Sequence, residues 1–288
     1  MTSDASDDGL AEFLGLRRRL FGIAYRMLGS AVEAEDVVQD AWLRWQATDR
    51  SIVTNAKAFL TTVVTRLAIN AASSAPARRE LYIGPWLPDP IDTTADPALG
   101  AERGQALELG VLLLLEKLTP TERAAYVLRE AFEYSHQEIA SVLEVTEPNA
   151  RQLAARARKH IAAERREPVS FDERRHLLAA FIAAARAGDL PSLERLFTAQ
   201  ATSLADSNGV GRAARRPVVG RESVAKAVVA FSATFWVGVS LTWTQANGQP
   251  AVMLSRDGSR FALLTIEASI DGIEQLLWMM RPEKLARV

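Results

Sequence analysis

Between Leu118 and Ile161 the hydrophobic positions fall into three short helical periods, each opened by a polar cap. Thr119-Pro120-Thr121-Glu122 sets a hydroxyl at an N-cap, proline at the first helical position and an acid that reaches back to the cap. Ser135-His136-Gln137-Glu138 repeats the capping box, and Thr146-Glu147-Pro148-Asn149 opens a third helix with an acid in its first turn. Only Leu143 to Val145 separate the last two, so the pattern predicts a short helix, a tight turn and a longer helix: a helix-turn-helix. In the third helix Ala150, Leu153, Ala154, Ala157 and Ile161 share one face at about 100° per residue. Gln152, Ala155, Arg156 and Lys159 lie opposite, flanked by Arg151 and Arg158.

Upstream, Leu16, Leu20, Ile23, Ala24 and Met27 recur at helical spacing up to Gly29. Ser30 and Glu33 form the start of a second helix that runs to about Gln46 and buries Ala34, Val37, Val38, Ala41 and Trp45. A third, from about Asn55 to Ala72, carries Phe59, Leu60, Val63, Val64, Leu67 and Ala68, and Pro76 is expected to end it. Residues 1–10 are polar and expected to be disordered. Tyr82 to Pro90 holds three prolines around Trp86 and reads as an extended strap within a linker over 81–100, followed by a helix over 98–117.

After residue 166 the character changes. Phe171 opens a helix buried through Leu177, Leu178, Phe181, Ile182 and Ala185, and Leu190 to Phe197 forms a short second one. Strand-like runs follow at 201–205, 237–244, 251–254, 261–268 and 273–280, with a helix from Glu222 to about Ala233 after the first. Asn208-Gly209, Asn247-Gly248, Asp257-Gly258 and Asp271-Gly272 mark the turns. The expected fold is multidomain: two all-α domains, over 11–80 and 101–166, then an α+β domain over 167–288 with a curved antiparallel sheet against helices.

Composition changes this picture in few places. The 288 residues are 48% hydrophobic and 24% charged with a net charge of −1, so a nucleic-acid surface has to be local. It is local: between Val145 and Arg166 stand six Lys or Arg against two acids. Arg bonds guanine edges bidentately and Gln adenine edges, which suits the third helix to a major groove. The plain alternative is a cationic, solvated helix on a small bundle. There are no cysteines, which excludes disulfides and thiolate metal sites. The acidic N-terminus is not a signal peptide, and no apolar run approaches the roughly 20 residues that span a bilayer. A soluble, cytoplasmic protein without metal or cofactor is expected.

Ala34-Glu35-Asp36-Val37-Val38-Gln39-Asp40-Ala41-Trp42-Leu43-Arg44-Trp45 resembles the signature helix of the first conserved region of RNA polymerase sigma factors. Ala58 to Asn70 resembles the helix that follows it in the extracytoplasmic-function class, and Leu118 to Arg123 with Ser135 to Ala140 matches the class's second domain. The resemblance implies that Asp36, Gln39, Asp40 and Trp42 dock on core RNA polymerase. It implies that Arg66, Asn70, Arg78 and Arg79 meet the downstream promoter element, where the family captures a flipped base. The segment 71–77 lacks the arginines usual there. For the upstream element the matching residues are Asn149, Arg151, Gln152, Arg156 and Lys159.

Trp86-Leu87-Pro88 resembles the tryptophan-leucine-proline motif of a sigma group with an extra C-terminal domain. Arg281-Pro282-Glu283-Lys284-Leu285 resembles that group's C-terminal motif, departing at Arg281 and Glu283, and Asp206 to Gly211 is a degenerate form of its aspartate–glycine loop. The order of elements is similar to the SnoaL-like branch of the nuclear-transport-factor-2-like fold, a cone with a pocket at its mouth. Phe197, Phe231, Phe235, Trp236, Trp243 and Trp278 would line it, or serve as plain core. The resemblance implies a sigma factor regulated in cis, through Trp86, Leu87, Pro88, Asp206, Arg281, Pro282, Lys284 and Leu285, with no separate anti-sigma protein required. One alternative is a one-component sensor whose pocket takes a small apolar ligand. Another is an enzyme with a helical association module, for which Asp206, Asp257 and Glu267 are the acid/base candidates; a catalytic site is not expected, since no carboxylate–histidine pair is evident.

Overall fold

The computed structural model describes residues 4–79, 82–92, 108–209, 214–286 and 288, with backbone alone at 4–8 and 75–79. They form two compact units: 4–78 with 111–164, and 79, 82–92, 108–110 and the described residues from 165 to 288.

The helical unit contains α1 (Asp4–Leu28), α2 (Ala31–Ala47), a single 3-10 turn (Arg50–Ile52), α3 (Ala56–Arg79), α4 (Leu109–Leu115, whose first two residues count with the other unit), α5 (Pro120–Glu130), α6 (His136–Leu143) and α7 (Glu147–Glu164). Gly29 closes α1 in the left-handed region at φ 66°, and the Ser30 hydroxyl accepts from the Glu33 amide at 3.4 Å to open α2. Both expected capping boxes form. The Thr119 and Glu122 amides bond each other's side chains at 3.3 Å; for Ser135 and Glu138 the distances are 2.7 and 3.1 Å. The buried face of α7 is Ala150, Leu153, Ala154, Ala157 and Ile161, the apolar set that the helical period selects.

Two expectations are corrected here. Residues 4–10 are helical, and the chain is anchored there because the buried Trp45 indole donates to the Gly9 carbonyl at 2.8 Å. The helix α3 runs through Pro76 to Arg79: a proline removes one amide donor, but its fixed φ is itself helical.

The unit's two groups of helices are joined by polar contacts inside its core. Thr61 and Tyr134 bring their hydroxyls to 2.9 Å, and Arg19 donates to the Phe132 carbonyl at 3.1 Å. Buried Arg123 donates to the Met27 carbonyl at 2.6 Å and to Glu116 at 2.8 Å, and burial pushes its pKa down to about 10.

In the second unit α8 (Phe171–Ala187) and α9 (Leu190–Leu196) precede β1 (Phe197–Asp206), β2 (Val218–Val219), α10 (Arg221–Phe235), β3 (Val239–Ala246), β4 (Gln249–Arg256), β5 (Ser259–Ser269), β6 (Gly272–Met279) and α11 (Pro282–Leu285). The six strands are ordered β2-β1-β6-β5-β4-β3. β1 pairs with β6 in parallel, so the sheet is mixed where an antiparallel one is expected. The hairpin turns behave as their sequences require: Asn247 and Gly248 sit at φ 55° and 75°, Asp257 and Gly258 at 50° and 76°. Register shifts in β4–β5 and β5–β6 bend the sheet around a core of Leu178, Phe181, Phe197, Val224, Leu264 and Leu276. The opposite face is also buried at Met253, Leu263, Leu277 and Met279, which explains why β4 and β5 read as apolar runs without alternation.

Candidate functional site

Three surfaces carry the residues singled out above. On α2, Asp36, Gln39 and Asp40 are exposed at helical spacing, on the side opposite the buried Val37, Val38 and Trp45. Trp42 is half-buried, its ring tilted 52° against Phe13 with centroids 4.9 Å apart. This leaves an acidic, polar strip beside a fixed aromatic edge.

On α7, Asn149, Arg151, Gln152, Arg156 and Lys159 are all exposed while the apolar stripe faces α5 and α6. The turn before it is set by Glu144, which adopts φ 54° and ψ 44° without being glycine. Arg151 pairs with Glu147 at 2.9 Å, and Arg156 lies 3.3 Å from Glu122. Exposed pairs of this kind are worth only about 0.2–1 kcal/mol, so the cations remain available to another anion. On α3, Asn70 is exposed one turn beyond Arg66. Arg66 is engaged: its guanidinium is 2.6 Å from Glu144 and donates to the Val142 carbonyl at 3.5 Å. Sequence reasoning paired Arg66 with no acid, because the contact joins residues far apart in the chain. The side chains of Arg78 and Arg79 lie outside the described residues, as do Val210, Gly211 and Arg212 of the glycine loop.

The third surface joins the proline-rich strap to the sheet. Asp206, at the end of β1 and wholly buried, accepts from the Leu87 amide at 3.0 Å and from the Tyr82 hydroxyl. The Lys284 ammonium, from α11, lies 2.8 Å from Asp206 and 3.2 Å from Asp89, and donates to the Leu87 carbonyl. It also sits 4.7 Å from the centre of the Trp86 ring. Leu87 is therefore held at both its N–H and its C=O. The Arg281 guanidinium covers the Tyr82 ring at 5.5 Å, and Pro282 starts α11, which buries Leu285. Pro88 is buried too. Burial, then the Asp206 carboxylate, push the Tyr82 phenol above its usual range, so it stays a neutral donor.

Two asparagines extend the clasp: Asn208 accepts from the Ile83 amide at 3.1 Å, and buried Asn247 accepts from the Ile91 amide at 3.0 Å while its own N–H donates to the Ile91 carbonyl at 2.9 Å. In sequence Asn247 reads only as a turn residue, and Asn208 as a turn residue within the degenerate aspartate–glycine loop. Tyr82 and Asp89 were likewise missed; an aromatic and an acid flanking a Trp-Leu-Pro strap were the available signal. Gly84, at φ 98°, lets the strap pass beside the Arg215 backbone.

The proposed acid/base carboxylates do not converge. Asp206 belongs to the clasp, Asp257 is a turn residue, and Glu267 is 2.8 Å from Arg174 and accepts from the Gly110 amide. Of the six aromatics, Phe231, Phe235, Trp236 and Trp278 line a cavity of about 210 Å³. Phe197 is core, and Trp243 lies in a separate hollow with Phe171 and Arg175. Among the described residues no cluster fits a metal ion, and no helix is long and apolar enough to cross a membrane.

The chain matches the family models "Sigma-70 region 2" over residues 13–77 and "Sigma-70, region 4" over residues 109–161. It is 37% identical over 225 residues to the ECF RNA polymerase sigma factor SigJ of Mycobacterium tuberculosis, covering 76% of this chain and 72% of that one. It is 30% identical over 278 residues to the probable ECF RNA polymerase sigma factor SigI of the same organism, covering 93% and 92%. The crystal structure of the M. tuberculosis extracytoplasmic function sigma factor SigJ superposes with a TM-score of 0.75 at 29% identity, over 96% of this chain and 98% of that one, a span that takes in the C-terminal six-stranded domain. Sigma factors bind core RNA polymerase and promoter DNA and are not enzymes. This chain belongs to the extracytoplasmic-function family of RNA polymerase sigma factors.

Proposed function

We propose that this sigma factor is regulated in cis by its own C-terminal domain, through the strap between its two promoter-reading modules. The observation that carries the reading is the double hold on Leu87. Asp206 takes its amide and Lys284 its carbonyl, while the two side chains pair with each other. The strap lies between the region-2 and region-4 segments in sequence, so what holds it governs their reach toward two separated DNA elements. A tethered partner acts at millimolar effective concentration, so a modest contact suffices and no separate anti-sigma protein is required. The sigma factor then works where core polymerase works, in the cytoplasm.

In this reading Asp36, Gln39, Asp40 and Trp42 dock on core polymerase. Arg66, Asn70, Arg78 and Arg79 meet the downstream element, and Asn149, Arg151, Gln152, Arg156 and Lys159 the upstream one. Arg66 has to leave Glu144 to do so. Run-off transcription with purified core enzyme tests the regulation: Lys284→Ala, which releases the strap, should change promoter output at a temperature where circular dichroism shows the variant still folded. Unchanged output would remove the clasp from the account.

A second reading is favoured by the aromatic cavity in the cone: the C-terminal domain also takes a small molecule and acts as the sensor.

A further inference from the structure

The β1–β6 pair is a panel with different chemistry on its two faces. Side chains alternate along a strand, so neighbours point to opposite sides. Ser203 and Ala205 of β1, with Trp278 of β6, face the cavity. Asp206, the very next residue, faces the strap. In the parallel register Ala205 stands beside Trp278 and Asp206 beside Met279. Met280 lines the cavity, and its amide donates to the Asp206 carbonyl at 2.9 Å. Arg281, which covers Tyr82, follows it directly, and Lys284 is one helical turn further on.

The cavity has a definite chemical character. Its described lining contains no Asp, Glu, Lys, Arg or His, and Ser203 supplies its only hydroxyl. Phe235 meets Trp236 and Trp278 edge-to-face, at 5.0 and 5.6 Å between centroids and 85° and 83° between planes. Edge-to-face rings present faces and edges that suit a further aromatic ring. An apolar cavity of about 150 Å³ admits benzene, and this one, at about 210 Å³, has room for a substituted or fused ring. Among the described lining residues a charged ligand meets no charged side chain, so the hydration it loses there is not offset.

We infer that the cavity binds an uncharged aromatic molecule of one or two rings, with a hydroxyl or carbonyl directed to Ser203. We infer too that its occupancy is transmitted through Ala205 and Met280 to the Asp206–Lys284 clasp. The transmission rests on the cis-regulatory reading above; the binding does not. A ring against Met280 and Ala205 bears on the backbone of the two residues that position Asp206 and Arg281. Packed interiors yield by discrete repacking, so a filled cavity resets the clasp geometry.

The test uses the full-length chain with 2-naphthol as probe and 2-naphthoate as its charged counterpart. Titration calorimetry should give one saturable site for 2-naphthol, and at least about tenfold weaker binding of 2-naphthoate. Val228→Trp, which fills the cavity from α10, should abolish binding. Because that variant risks misfolding, Ser203→Ala provides a second arm: it should weaken 2-naphthol while leaving naphthalene unchanged. Hydrogen exchange then reads the coupling. The Leu87 amide, held by Asp206, should change its exchange rate on adding 2-naphthol by about threefold or more, an assumed threshold for a local opening equilibrium. The Ile91 amide, held by Asn247 at the far end, should not change. Absence of a saturable site, or equal binding of probe and naphthoate, overturns the site. Binding without any change at Leu87 overturns the transmission. Neither outcome touches the clasp's role in transcription, which Lys284→Ala tests with no ligand present.

Discussion

Lys284 places its ammonium 2.8 Å from the carboxylate of Asp206, with the two side chains 5% and 0% exposed and 78 residues apart in sequence. Neither charge could be buried alone. Asp206 is further satisfied by the Leu87 amide and the Tyr82 hydroxyl, and Lys284 by Asp89 and the Leu87 carbonyl. Removing one partner from such a pair costs about 3–5 kcal/mol, mostly the desolvation left unmatched on the other. Lys284→Met should therefore lower thermal stability of the C-terminal unit and expose residues 82–92 to limited proteolysis. The double variant Asp206→Asn/Lys284→Met should lose clearly less than the two single losses added together. Strict additivity would mean that the two groups act independently.

A second buried ion cluster gives a pH dependence. Arg174 on α8, 1% exposed, bridges Glu267 at 2.8 Å and Glu108 at 3.6 Å, and Arg165 approaches Glu108 at 3.4 Å. Burial, then the charge of Glu267, hold the Glu108 carboxyl above its ordinary range, against the pull of Arg174 and Arg165. A carboxyl with a raised folded pKa binds its proton more tightly in the native state. Its contribution is favourable at low pH and is lost as pH rises from the ordinary value of 4.5 through the folded one. Glu108→Gln should flatten that decline in melting temperature and melt no lower than the parent at pH 7. Arg174→Met should instead destabilise throughout the neutral range, because it removes the buried cation that lies between the Glu108 and part-buried Glu267 carboxylates.

The parts legible in sequence are those fixed by local chemistry. Capping residues open α5 and α6, the 3.6-residue period selects the buried faces of α2 and α7, and Asn-Gly and Asp-Gly place the β3–β4 and β4–β5 turns. The Trp-Leu-Pro strap and the C-terminal motif pointed to residues that do come together. What stayed hidden depends on partners distant in the chain. Parallel pairing of β1 with β6 leaves no periodicity to read, and a buried Arg174 looks like any exposed arginine until Glu267 is opposite it. The anchoring of residues 4–10 by Trp45 likewise depends on a partner distant in the chain, whereas the continuation of α3 through Pro76 follows from proline's own helical φ.

For DNA reading, Arg156 makes the sharpest prediction among the exposed residues of α7. Its Nε lies 3.3 Å from Glu122, an acid already committed to the capping box with Thr119. Arg156→Ala should weaken binding to a cognate promoter by about 1–3 kcal/mol if the guanidinium reads a base edge, and should relax preference at one position. Gel-shift titrations against a panel of single-base variants, at fixed salt, measure both. A uniform loss across the panel would assign Arg156 to phosphate.

Arg66 and Glu144 offer a cycle that separates masking from recognition. Glu144 sits in the left-handed region at φ 54°, which asparagine tolerates better than glutamate, so Glu144→Asn removes the charge without straining the turn. The pair is solvent-exposed, with side-chain accessibilities of 43% and 72%, and so worth about 0.2–1 kcal/mol. If Arg66 meets the downstream element only after leaving Glu144, freeing it should raise affinity of the polymerase holoenzyme for a pre-opened downstream fragment by at most about fivefold, the factor that free energy allows. Arg66→Ala should lower that affinity, and adding Glu144→Asn to it should bring no gain, since nothing remains to be released. An equal gain in both backgrounds would show that Glu144 acts by simple repulsion of the DNA backbone. No change in either would mean that Arg66 is structural, holding α3 to the turn that precedes α7.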